Sequence, residues 1–186
     1  MIEVEMKFAI GDGAKLARAL DTLGIRWLGC VRQQDHYFNH PCRDFAQSDE
    51  ALRLRCQGEQ VVLAYKGPKL DPQTKTRVEI EVPLAAGGEP ALQQAQALLH
   101  ALGFRPVAVV SKQRRRGELE YQGQRVQVAW DQVERLGEFL ELEIACREEQ
   151  APGARELVLK LARELPLGQS IRKSYLELLL EGPKDK

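Results

Sequence analysis

MIEVEMKF, residues 1–8, alternates Glu3, Glu5 and Lys7 with Ile2, Val4, Met6 and Phe8. Alternation with a period of two reads as a β-strand, charged on one face and apolar on the other. Such a strand ordinarily turns its charges to water. The fold therefore depends on which of these two faces is the inside.

The same pattern returns along the chain. ALRLR, residues 51–55, sets Arg53 and Arg55 against Leu52 and Leu54. RVEIEV, residues 77–82, sets Arg77, Glu79 and Glu81 against Val78, Ile80 and Val82. FLELEI, residues 139–144, sets Glu141 and Glu143 against Leu140, Leu142 and Ile144, and Asp131 lies opposite Val126, Val128 and Trp130 in RVQVAWD. Lys66 shares parity with Val62 and Ala64, while Lys112, Arg114 and Arg116 share one face. One such strand makes a wet face, whereas five or six make a surface.

Between these strands, Leu16, Leu20 and Leu23 mark a helix closing at Gly24, and Leu92, Leu98, Leu99 and Leu102 mark a second one over 89–102. Residues 25–38 hold a long strand ending in QDHYF, and QVVLAYK (60–66) pairs with ALRLRC as a hairpin. PVAVVSKQRRR (106–116), GELEY (117–121), QRVQVAWD (124–131) and GEFLELEIA (137–145) are further strands. Loops are expected at 39–50 and 67–75, and helices at 152–165 and 171–180. About eight strands joined mostly by short turns, with helices inserted, indicate an α+β domain built on a large antiparallel sheet or closed barrel, spanning 1–186 as one unit.

The 27 basic and 27 acidic residues cancel, and aromatics are 6% of the chain, so neither nucleic acid nor an anionic membrane is an expected partner. With no apolar stretch of membrane-spanning length and no basic leader, a soluble, cytoplasmic protein is expected. Cys30, Cys42, Cys56 and Cys146 form no C-x-x-C pair. His36, His40 and Cys42 lie close in sequence but lack a fourth zinc ligand at a recognised spacing. No glycine-rich phosphate loop occurs, so any phosphate must be held by side chains.

Closing the sheet would bring the charged faces onto one axis, since an eight-stranded barrel has room for side chains or one small ligand. Like charges about 4 Å apart then repel by roughly 4 kcal/mol at an effective dielectric of 20. Acidic groups suit hard divalent cations, and arginines and lysines suit phosphate oxygens. A metal-bound polyphosphate satisfies both sets, which would make the charged face the inside.

Glu3-x-Glu5-x-Lys7, followed in order by QDHYF, ALRLR, YKGP, RVEIEV, VSKQR, DQVERLGEFLELEI and SYLELL, resembles the CYTH superfamily of triphosphate tunnel enzymes over nearly the whole chain. Within it the pattern is most similar to the bacterial class IV adenylate cyclase (CyaB-like) branch. The resemblance implies an eight-stranded antiparallel closed barrel with helices outside, binding a triphosphate with Mg2+ or Mn2+. It implies metal ligation by Glu3, Glu5, Asp131, Glu141 and Glu143. It implies catalytic roles for Glu5, Lys7, Lys66 and Arg114, and substrate binding by Arg53, Arg55, Lys66, Lys112, Arg114 and Lys173. Arg77, Glu79 and Glu81 match a fifth-strand set in which substrate contact and structural pairing are both open. Arg115 and Arg116 are expected outside the site, and Tyr37, Phe38 and the loops 39–50 and 67–75 are candidates for touching the organic group. ATP, thiamine triphosphate and tripolyphosphate remain competing substrates, a non-catalytic polyphosphate sensor remains an alternative, and a homodimer is compatible with the pattern.

Overall fold

The computed structural model describes residues 2–71, 74–84 and 86–182. Eight antiparallel strands close a barrel: β1 (Ile2–Ala9), β2 (Arg26–Asn39), β3 (Ala51–Gln57), β4 (Gln60–Lys66), β5 (Arg77–Pro83), β6 (Arg105–Tyr121), β7 (Gln124–Val133) and β8 (Gly137–Cys146). Their order around the barrel is β1-β5-β4-β3-β2-β6-β7-β8. Helix α1 (Gly13–Thr22) follows β1, α2 (Gly88–Ala101) follows β5, and α3 (Ala151–Glu164) and α4 (Tyr175–Glu181) end the described chain. None of these helices is long and apolar enough to cross a membrane.

The apolar parity of each strand faces outward beneath the helices. Val4, Leu140 and Leu142 pack with Leu16 and Leu20 of α1 and with Val158 and Leu161 of α3. On the other side Leu54 and Val61 pack against Leu92 and Leu99 of α2. Each fully buried leucine contributes roughly 1.5–3 kcal/mol, so the hydrophobic layer that stabilises this barrel lies around it. A third, smaller cluster joins Tyr37, Val110, Val133, Phe139 and Tyr175, and places the start of α4 against one end of the barrel.

Two sequence expectations are corrected. Residues 106–116 and 117–121 are one strand, β6, of 17 residues. The residue at the join is Gly117, where a Cβ would stand 2.9 Å from Ile25 and Trp27, so only glycine keeps the strand straight beneath them. The last helix begins at Tyr175 rather than at 171, because Ser174 and Glu177 form a capping box there. Before it the chain runs along β1, with Ile171 N–H donating to Lys7 C=O at 2.7 Å.

The strand ends divide into two sets. Loop residues 40–50, the described residues 67–71 and 74–76, and the segment leading into α4 gather at one end, called here the loop end. The β3–β4 and β6–β7 turns gather at the other, the hairpin end. At the β6–β7 turn Gln122 and Gly123 both have positive φ, 51° and 78°, as a tight two-residue hairpin requires.

Candidate functional site

A cavity of ≈ 780 Å³ runs inside the barrel, lined by Glu3, Glu5 and Lys7 among others. The charged face of MIEVEMKF is the inside. Arg53, Arg55, Lys66, Arg77, Glu79, Glu81, Lys112, Arg114, Glu141 and Glu143 line the same cavity.

Asp35 organises one wall. It is fully buried, and Arg55 Nε and Nη2 donate to its two oxygens at 2.7 and 2.8 Å. Lys112 Nζ lies 3.4 Å and Arg53 Nη1 3.6 Å from Oδ2. Burial alone would raise this carboxyl's pKa, but Arg55, Lys112 and Arg53 hold it well below the usual range. Lys112 is pushed down to about 7, first by burial and then by Arg114.

Arg114 forms a second knot. Its Nε and Nη2 donate to Asp131 at 2.7 and 2.5 Å, and Nη2 also contacts Glu141. Tyr175 Oη donates to Asp131 Oδ2 at 2.9 Å. Asp131 is fully buried behind Arg114 and anchors its guanidinium through both carboxylate oxygens.

On the facing wall Lys66 Nζ bridges Glu3 at 3.0 Å and Glu79 at 2.6 Å, while Arg53 reaches Glu79 at 3.4 Å and Glu81 at 3.7 Å. Glu79 and Glu81 are thus paired with neighbouring cations, and Arg77 stands opposite Glu3 in the ladder.

Lys75, from the loop between β4 and β5, enters the barrel, where its Nζ donates to Glu5 at 2.6 Å. Lys7 Nζ is buried without a hydrogen-bond partner among the described residues, 4.0 Å from the Tyr175 ring centroid. Burial first and Lys75 second hold its pKa well below the ordinary lysine value. Glu143 makes no ion pair among the described residues, and burial together with Glu3 and Glu5 raises it to about 8.

Lys173 does not reach the tunnel. It lies in the segment before α4, is half exposed, and pairs with Glu181. It borders a small surface pocket of ≈ 260 Å³ with Asp49, Lys69, Arg172 and Glu177. Arg116 corrects the opposite expectation, because it lines the cavity, whereas Arg115 stacks over Trp27 at 3.8 Å on the outside. Tyr37 faces inward next to Arg53, and Phe38 packs outward against Leu52 and Leu54. His36 bonds Gln96 under α2 while His40 packs on Phe45 and Phe104, so the local histidines are not gathered.

Asp35, Lys75, Tyr175 and Gln33 were not singled out by the sequence pattern. Asp35 and Gln33 carried a usable signal, since they share parity with inward Tyr37 on β2. Lys75 sits in a loop and Tyr175 beyond the barrel, where alternation says nothing.

A family model described as the CYTH domain matches residues 1–175. The chain belongs to the CYTH family. A Methanocaldococcus jannaschii protein provisionally named an adenylate cyclase is 37% identical over 181 residues, covering 96% of this chain and 98% of its own. Adenylate cyclase CyaB of Aeromonas hydrophila is 27% identical over 172 residues, covering 90% and 82%. A solved structure of a Pyrococcus horikoshii protein superposes with a TM-score of 0.84 at 38% identity, covering 96% and 98%. The closed barrel and charged tunnel are therefore those of a triphosphate tunnel fold.

Proposed function

We propose that this CYTH protein converts ATP to cyclic AMP and pyrophosphate. The observation that carries the reading is the single tunnel in which Arg53, Arg55, Lys66, Lys112 and Arg114 face the carboxylates Glu3, Glu5 and Glu143. The 37% identical relative bearing an adenylate cyclase name supports the choice of reaction.

Mg2+ or Mn2+ fits this tunnel. Among the described residues no three acidic, histidine or cysteine side chains form a ready-made cage. Mg2+ characteristically uses one or two carboxylates plus substrate phosphates instead. Glu143, raised to about 8 by burial and then by Glu3 and Glu5, meets that need with Glu5 opposite it. Glu3 and Glu141 stand beside them, held by Lys66 and Arg114. A bound ion would polarise phosphate oxygens and acidify the attacking hydroxyl.

The protein's own cations do the remaining work. Arg53, Arg55 and Lys112 are held by Asp35, and Arg114 by Asp131, so their donors are oriented before substrate arrives. Such preorganised donors stabilise charge that develops on a leaving group. In cyclisation the ribose 3′-hydroxyl would lose its proton to solvent as its oxygen bonds to the α-phosphorus and the bond to pyrophosphate breaks, and Arg114 and Lys66, which line the cavity, would meet the charge developing on pyrophosphate.

The test is product analysis with ATP and 3′-deoxy-ATP in Mg2+ or Mn2+. The expected result is cyclic AMP and pyrophosphate from ATP and neither from the deoxy compound. Orthophosphate and diphosphate from both would replace cyclisation by terminal hydrolysis, with thiamine triphosphate and tripolyphosphate as the next substrates to compare.

A further inference from the structure

Lys75 enters the tunnel from a loop, and that loop is held so that the side chain has no way out. The residue is 3% exposed, and its Nζ donates to Glu5 Oε1 at 2.6 Å. Its backbone N–H donates to Glu5 C=O at 2.9 Å, which continues the β1–β5 pairing beyond Glu3 and Arg77. On either side Thr74 and Thr76 are buried, with their hydroxyls 2.6 Å apart. Thr74 also donates from N–H and Oγ1 to Asp71, whose carboxylate meets Arg155 of α3 and whose C=O accepts from Arg172.

The partner of Lys75 is a contested carboxylate. Glu5 stands opposite Glu143, at the place where a divalent ion fits. An ammonium 2.6 Å from a carboxylate that also holds such an ion would be repelled by it. Lys75 would then have to leave Glu5, yet the clamped loop keeps it from water. A buried ammonium without a partner is costly. The other carboxylates do not relieve it, because Glu3 and Glu79 are bound by Lys66, Glu141 by Arg114, and Glu143 faces the same ion as Glu5.

Lys7 has the same want. It is 1% exposed, its Nζ has no hydrogen-bond partner among the described residues, and Lys75 is the neighbour that, after burial, does most to lower its pKa. Two neighbouring nitrogens, one without an acceptor and one that would lose its acceptor, are satisfied together by an anionic oxygen group that accepts from both. The phosphate oxygens of a metal-bound triphosphate are such a group.

We propose that Lys75 couples the two components of the substrate, holding Glu5 in the free protein and passing to a phosphate oxygen, beside Lys7, when a metal–triphosphate complex binds. The inference rests on the triphosphate reading above and adds a residue that makes the tunnel select the complex over either component. Metal alone strands the ammonium, and a phosphate chain alone finds it engaged with Glu5.

Two affinities test it, each measured in the wild-type protein and in Lys75→Gln. One is for Mn2+ alone, read from the paramagnetic resonance of the free ion. The other is for the Mn2+ complex of the imido analogue of tripolyphosphate, which resists hydrolysis, read by calorimetry. The expected changes have opposite signs: several-fold tighter binding of Mn2+ alone, and about tenfold weaker binding of the complex as one charge-assisted hydrogen bond is lost. Unchanged or tighter binding of the complex would make Lys75 a competitor of the ion only. Unchanged or weaker binding of Mn2+ alone would make it a support for Glu5 only. Either result would overturn the inference while leaving triphosphate binding intact. Lys75→Met takes the place of Lys75→Gln if the latter does not fold. If neither folds, magnetic resonance of the wild-type protein decides: a nitrogen–phosphorus scalar coupling at Lys75 Nζ is expected with Mg2+ and the analogue together, and its absence would overturn the inference. Failure of the wild-type protein to bind the complex at all would overturn the triphosphate reading as well.

Discussion

Glu5 on β1 and Glu143 on β8 stand directly opposite each other in the strand ladder, and both side chains face the tunnel. Lys75 takes Glu5 and leaves Glu143 alone. This asymmetry gives the free protein a titration of its own.

Glu143 is raised from 4.5 to about 8 in the folded protein, by burial and then by Glu3 and Glu5. Between those values the folded state holds a proton that the unfolded state releases. The stability tied to Glu143 is thus complete below its unfolded pKa and is lost as pH rises to about 8, with a limiting slope of about 1.4 kcal/mol per pH unit. Lys112, lowered to about 7, acts in the opposite direction above that value, and His36, lowered from 6.5 by burial, does so below it, so in the window from pH 5 to 7 the comparison with Glu143→Gln is what singles Glu143 out. Urea midpoints of the metal-free protein should fall across this window, and Glu143→Gln should flatten the fall. An unchanged slope in the variant would place the titration elsewhere.

Metal binding at pH 7 should then release protons, because the ion requires the ionised carboxylate. Calorimetry of Mn2+ binding in two buffers of different ionisation enthalpy measures the number. Close to one proton is expected for the wild-type protein and close to none for Glu143→Gln.

Lys75 brings an ammonium to the place where a divalent ion would meet Glu5. Replacing it by Gln removes this internal competitor, and Mn2+ affinity of the substrate-free protein should rise several-fold, read from the free-ion paramagnetic resonance signal. A drop in affinity would mean that Lys75 orders Glu5 for the ion and does not compete with it. The backbone bond from Lys75 N–H to Glu5 C=O, 2.9 Å, survives the substitution and keeps the loop docked.

The barrel was legible because period-two alternation survives in every strand that lines it. In β1, β3, β5 and β8 each inward charge could be read from parity alone, and apolar residues marked the outer core. Parity says which face a side chain is on, but not what it pairs with. Asp131 has the parity of a metal ligand yet lies behind Arg114 with both oxygens engaged, a relationship set by the β6–β7 register. Lys173 and Lys75 show the limit from the other side. Both lie outside regular strands, and only the tertiary path of their segments sends Lys75 into the tunnel and Lys173 onto the surface.

Tyr175 joins α4 to the charged interior in two ways that substitutions separate. Tyr175→Phe deletes the hydroxyl that donates to Asp131 and should cost about 1.5–3 kcal/mol, the usual worth of a bond to a charged group. Tyr175→Leu also removes the ring lying 4.0 Å from Lys7 Nζ and 5.0 Å from Lys112 Nζ, and should cost about 2 kcal/mol more. Urea denaturation measures both. Equal losses would show that the ring adds nothing beyond its hydroxyl.

Asp35 provides the sharpest test of the coupling between the fold and an anion in the tunnel. Three cations converge on one fully buried carboxylate, and no solvent reaches it to screen their repulsion. Asparagine keeps the shape but removes the charge, so Asp35→Asn should lose about 3–5 kcal/mol, as expected when one member of a buried ionic cluster is neutralised. A polyanion bound among the same cations would replace the missing charge. Tripolyphosphate should therefore raise the melting temperature of Asp35→Asn more than that of the wild-type protein at equal concentration, and should restore folding if the variant is unfolded without it. A smaller shift in the variant would mean that Asp35 shapes the anion site, with the loss of orientation in Arg53, Arg55 and Lys112 outweighing the gain in positive potential.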